Sequence, residues 1–137
     1  MEVVELSWRT QGGAERRHMR GWRGGCFEMT GPSESGQGVQ SKRKGCMDTS
    51  KAAGIFGRLD KLYKTAKLAA DPGYWPYDSQ NLTMVGFPDA KGTLWIASDE
   101  ATAAAMSQAA QSLIDSAQAV LHQQDLPPER RSSQATP

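Results

Sequence analysis

From Met47 onward the apolar positions fall into two helical periods separated by two short β-type runs. In DTSKAAGIFGRLDKLYKTAKLAADPG, the residues Ala52, Ile55, Phe56, Leu59, Leu62, Tyr63, Ala66, Ala69 and Ala70 share one arc of roughly 140° at helical spacing. Lys51, Arg58, Lys61, Lys64 and Lys67 fall opposite with Asp60, and Leu68 is the one apolar residue on the wrong side. Asp48, Thr49 or Ser50 can cap this helix, and Pro72 with Gly73 stops it. In SDEATAAAMSQAAQSLIDSAQAVLHQQ the period is cleaner. Ala103, Met106, Ala109, Ala110, Leu113, Ile114, Ala117, Val120 and Leu121 line one arc, with Ser98 as a cap and Asp99 and Glu100 in the first turn.

Between the helices, DPGYWPYDSQN reads as an aromatic loop, LTMVGF as a strand, PDAKG as a turn and TLWIA as a second strand. The five-residue connection ends in Gly92, which suits a hairpin loop with one residue at positive φ. If Val85 lies opposite Trp95, one hairpin face carries Thr83, Val85, Phe87, Trp95 and Ala97, and the other Leu82, Met84, Leu94 and Ile96. The expected fold is therefore α+β, a small α–β–β–α domain over 47–123 with two amphipathic helices flanking a β-hairpin. Two helices can cover only one hairpin face, and a lone two-stranded sheet is marginal in water. The spare face and free strand edges predict a homodimer with a shared sheet.

Residues 1–46 give a different picture. They hold eight Arg/Lys against five Glu and nine of the fourteen glycines, with no sustained period of 2 or 3.6. With so few aliphatic side chains, this stretch is expected to be a disordered basic segment. Lys42-Arg43-Lys44-Gly45 just before Met47 can be encoded by a purine-rich run resembling a bacterial ribosome-binding site, so translation is expected to start at Met47, with 1–46 a mis-translated upstream extension. The competing expectation is a basic arm that touches phosphates or an acidic partner. Residues 124–137 read as a disordered tail.

Composition narrows the function without choosing one. Net charge over the 137 residues is +1, which gives no global field for nucleic acid or an anionic membrane. No secretory signal and no apolar run of membrane-spanning length stands in the sequence, so a cytoplasmic bacterial protein is the expectation. Cys26 and Cys46 form no Cys-x-x-Cys pair, and His18 and His122 are far apart; neither a metal nor a cofactor is expected, and a disulfide would need an oxidising compartment. Asp78, Asp89, Asp99 and Asp115 occupy ordinary loop and helix positions, and no nucleophile or phosphate-loop motif is present, so an enzyme is not expected.

The remaining candidate is an interaction or regulatory protein that binds a macromolecular partner. Val85, Phe87 and Trp95 would supply anchors, with Trp75 and Tyr77 at the rim. The alternative is a nucleic-acid-binding accessory protein using Arg58, Lys61, Lys64 and Lys67 on the basic face of the first helix. In both cases the bland explanation, an aromatic lid over a small core or a solvated lysine face, uses the same residues.

Overall fold

The computed structural model describes residues 1–9, 16–32, 40–77 and 82–130. Its centre is a seven-stranded sheet, and four of the strands come from the segment expected to be disordered. They are β1 (Val3–Arg9), β2 (Arg16–Trp22), β3 (Cys26–Pro32) and β4 (Gln40–Cys46). There follow α1 (Thr49–Thr65), β5 (Leu68–Ala70), β6 (Met84–Pro88), β7 (Leu94–Ala97), α2 (Glu100–Asp125) and a 3-10 turn at Pro128–Arg130. The order across the sheet is β4-β3-β2-β1-β6-β7-β5, with every neighbouring pair antiparallel. The α–β–β–α plan is thus corrected: the hairpin β6–β7 exists, but β1 pairs along β6 and β5 along β7, so neither of its edges is free.

The alternation that builds this sheet is present in the N-terminal sequence. Val4, Leu6 and Trp8 of β1 are buried on the helix side and alternate with Val3, Glu5, Ser7 and Arg9 on the other, of which Ser7 is buried as well. Across the ladder Leu6 lies opposite Met19 on one side and Val85 on the other, and Met19 lies opposite Met29. These side chains form one core with Ala52, Ile55, Phe56 and Leu59 of α1 and Met106, Ala110, Leu113, Ile114 and Ala117 of α2. Both helices therefore cover the same sheet face. Val85 and Phe87 belong to this core at 4% and 1% exposure.

In the hairpin, Phe87 rather than Val85 faces Trp95, a shift of two residues that keeps the paired strand residues on their expected faces, whereas Leu82, before β6, packs against the core. Gly92 takes φ +88° in the turn, where Asp89 Oδ1 accepts from the amides of Lys91 and Thr93, at 2.9 Å each. Met84 and Ile96 alternate onto the face away from the helices, yet each is only 3% exposed within the single chain. The apolar face that motivated a dimer is closed at these two positions without a second copy.

The first helix is shorter than its sequence period. Asp48 caps it, accepting from the Lys51 amide at 3.0 Å, but it ends at Thr65, and 68–70 become β5 instead of the last helical turn. The physical reason is visible in the exception noted above: Leu68, misplaced on the helical wheel, packs against the core as a strand residue opposite Ala97. Asp99 rather than Ser98 caps α2, accepting from the Thr102 amide at 2.7 Å. The expected tail is helical to Asp125, and residues 131–137 lie outside the described residues.

Two features join the N-terminal strands to the helices. Asp60 on α1 accepts from the Met1 ammonium at 3.0 Å and from Arg23 Nη2 at 2.6 Å, while the Arg23 guanidinium sits 5.4 Å from the centre of the Phe56 ring. Burial alone would raise the Asp60 pKa, but the hydrogen bonds and charges of Arg23 and the N-terminus outweigh it and hold the carboxyl below its usual value. At the other junction, Gly25 (φ +110°) accepts from the Met47 amide at 3.0 Å, and a Cβ there would stand 2.7 Å from the Met47 carbonyl oxygen. Beside it Cys26 and Cys46, opposite each other on the last rung of β3–β4, form a disulfide.

Candidate ligand-binding cleft

The alternation that buries Leu6 and Met19 also brings Trp8 and Arg17 to the helix side, one rung further along β1 and β2. There the helix-covered core gives out and a cavity of about 660 Å³ opens between the strand ends and α2. Trp8, Arg9, Arg17, Met29, Arg43 and Thr83 line it from the sheet, and Gln111, Ile114, Gln118, Leu121, His122 and Asp125 from α2. The α2 residues recur at three- and four-residue steps, so one helix face supplies them all. Ile114, Leu121 and Met29 are buried core side chains whose edges form the apolar floor.

The charge in this cleft is unbalanced. Asp125 is its one carboxylate, and Arg43 engages it with both arms, Nη2 donating to Oδ1 at 2.7 Å and Nη1 to Oδ2 at 3.0 Å. The hydrogen bond from Arg43 comes first among the causes that lower the Asp125 pKa, followed by the charges of Arg43 and His122. Arg43 Nη2 also reaches the Leu121 carbonyl at 3.4 Å, and Gln124 Nε2 donates to the Lys44 carbonyl at 3.2 Å, so α2 and β4 are tied together at this end.

Arg17 differs. It is half-buried, its side chain lies against Gly31, and it has no hydrogen-bond or ion-pair partner among the described residues. A Cβ at Gly31 would come within 3.1 Å of Arg17 Cγ and Nη1, so the glycine makes room for the guanidinium. Withdrawing a guanidinium from water costs free energy that an opposite charge offsets. In this cleft no described residue supplies one to Arg17.

The residues singled out from the sequence do not meet here. Trp95 is half-buried, with its indole N–H donating to Asp89 Oδ2 at 3.0 Å; Trp75 and Tyr77 are half-buried, and Tyr77 packs against the core. That hydrogen bond from Trp95 leads the causes holding the Asp89 carboxyl below its usual pKa. Tyr74 is the most exposed large apolar side chain of the loop at 66%, and the loop residues 78–81, Asp78 included, lie outside the described residues. Arg58, Lys61, Lys64 and Lys67 are all exposed, the first three on the outer surface of α1 and Lys67 just beyond its end. Lys67 is held by its carbonyl, which accepts from the Ser98 amide at 3.0 Å and hydroxyl at 2.9 Å.

The cleft arginines and Trp8 were missed because their segment was read by composition. The available signal was the period of two in VELSWR, with Val4, Leu6 and Trp8 on one face and Glu5, Ser7 and Arg9 on the other. Among the described residues no group of three or more potential metal ligands comes together. None of the described helices is long and apolar enough to cross a membrane. Comparison with known proteins finds no matching family model and no matching curated relative.

Proposed function

We propose that the protein is a binding protein whose ligand is an organic anion, a carboxylate or phosphate carried on an apolar body, held in the cleft between α2 and the ends of β1–β4. The observation that carries this reading is Arg17, half-buried in the cleft wall next to Trp8 and with no counter-ion among the described residues. The mixture of an apolar floor with a few convergent polar groups is what small-ligand sites generally present. The interaction class expected from the sequence is kept, but the binding surface moves. Val85 and Phe87 are core residues here, which leaves Trp75, Tyr77 and Trp95, all half-buried, as the solvent-reaching part of the surface expected to meet a macromolecular partner.

The compartment we propose rests on a separate observation. The Cys26–Cys46 disulfide favours an oxidising environment over the cytoplasm. Nucleic acid on Arg58, Lys61, Lys64 and Lys67 is the second reading, favoured by the exposure of all four and by the absence of any ion-pair partner among the described residues.

Backbone amide NMR with three probes that share a phenyl body tests both. Phenyl phosphate or benzoate should shift the amides of Trp8, Arg17, Met29 and Gln118, whereas phenol should not. Preference between the two anions names the head group. Arg17→Gln should weaken the preferred anion about tenfold or more, since a hydrogen bond to a charged group contributes about 1.5–3 kcal/mol. Shifts confined to Arg58, Lys61 and Lys64 would move the assignment to α1, and unchanged spectra would end the cleft reading.

A further inference from the structure

Both cysteines of the disulfide are exposed, on the sheet face away from the helices. β4, which carries Cys46, is an outer strand: among the described residues it is paired with β3 and with no strand on its other side. Three residues before Cys46 on that strand is Arg43, whose two-armed contact with Asp125 forms one wall of the cleft. One residue after it, Met47 hydrogen-bonds back to Gly25 and leads into the Asp48 cap of α1. The bond thus pins the end of an edge strand whose other face carries Arg43, the residue that neutralises the one carboxylate of the cleft. Without Arg43 there, Asp125 would repel an anion held at Arg17. Both cysteines of the bond are also exposed, and exposed disulfides are the ones more readily opened by thiols.

We infer that the Cys26–Cys46 disulfide is a thiol-exchange site whose opening releases β4 and withdraws Arg43 from the cleft, so that anion binding depends on redox state. The reactant is a dithiol. One of its thiolates attacks the sulfur of Cys26 or Cys46, forming a mixed disulfide and expelling the other cysteine as a thiolate. The second thiol of the reagent then closes its own disulfide. Two electrons and two protons pass from the dithiol to the protein, leaving two cysteine thiols. With β4 held at one end only by its ladder to β3 and its ties to α2, the arginine-competent arrangement becomes one of several. Apparent affinity then falls in proportion to its population. The binding consequence rests on the cleft reading; the release of β4 does not.

The test uses the full chain in dithiothreitol redox buffers without denaturant, following free thiols, amide hydrogen exchange and phenyl phosphate affinity. Reduction in the native state should double as loss of protection at the Lys42–Gly45 amides, with the helices still protected. It should also weaken phenyl phosphate about tenfold, as expected if about one reduced molecule in ten keeps Arg43 in place. The Cys26→Ser/Cys46→Ser variant should behave like the reduced protein in both readouts. Resistance to dithiothreitol until denaturant is added would overturn the inference. So would global unfolding on reduction, or unchanged protection along β4. If neither redox form binds phenyl phosphate while β4 protection falls on reduction, the cleft reading fails and the exchange site stands.

Discussion

Leu6→Ala separates the observed fold from any in which residues 1–46 lie outside it. Leu6 is 1% exposed at the middle of β1, opposite Met19 on one neighbouring strand and Val85 on the other. The substitution removes three carbons, about 2.4 kcal/mol of transfer free energy at about 0.8 kcal/mol per buried methylene. A strand held by ladders on both sides cannot close over the gap, so a cavity contribution of about 1 kcal/mol adds to this, as in comparable core truncations. The expected loss is about 3–4 kcal/mol, a large part of the roughly 5–15 kcal/mol that stabilises a domain of ordinary size. At an m-value of about 1.5 kcal/mol per molar urea, the midpoint falls by about 2 M with m unchanged. Urea titration followed by far-UV circular dichroism reads this directly, with the exposed Lys61→Gln as a control that should hardly move. A Leu6→Ala protein unfolding at the parent's urea concentration would refute β1 as the central strand, and with it the cleft.

Asp60→Asn removes the carboxylate that the Met1 ammonium and Arg23 share, and should cost about 1–2 kcal/mol at neutral pH. Because the folded pKa of Asp60 is lowered, its contribution is complete above the ordinary aspartate value and is lost as pH falls through the folded one; the variant's deficit, read by urea unfolding at several pH values, should therefore vanish in acid. Gly45→Val should destabilise by about 1–3 kcal/mol through overpacking, because even a Cβ there would lie 2.9 Å from both Phe27 Cζ and Val120 Cγ1 where α2 crosses β4. Equal stability of Gly45→Val and parent by thermal melting would mean that α2 does not rest on this strand.

Both helices, the hairpin and the face assignment of its side chains were legible from the sequence, because each rests on a local period that tertiary contacts did not overrule. The boundary that failed, the end of α1, failed where alanine-rich sequence favours helix by local propensity and a tertiary pairing overrode it. There the register of β5 against β7 decided the outcome. The N-terminal strands were hidden by averaging. Nine glycines and eight cations in 46 residues resemble a disordered segment in composition. Yet Gly21, Gly31 and Gly45 lie on the helix-side rungs, where Leu113, Arg17 and Val120 respectively need the space that a side chain would fill. A glycine in a flexible tail and a glycine beneath a packed helix look the same in a composition count. They differ in whether their neighbours alternate, as Phe27 and Met29 do with Glu28 and Thr30.

The candidate cleft was illegible for a related reason. An arginine between polar neighbours carries no mark of the face it will occupy until the strand's register is known. Arg17 faces the helices because it lies opposite Trp8, and Arg16, the next residue, turns to the other face, where it donates to the Ser7 hydroxyl. The sequence nevertheless contained the difficulty that the strands resolve. An α–β–β–α unit leaves two hairpin edges and one apolar face unmet, and self-association was one way to meet them. In the structure β1 takes the edge of β6, β5 takes the edge of β7, and Met84 and Ile96 are closed over within the chain. The same addition lengthens the sheet past the reach of α1. That leaves the far ends of β1–β4 beneath the C-terminal half of α2 alone, so the cleft lies where the sheet outgrows its helical cover.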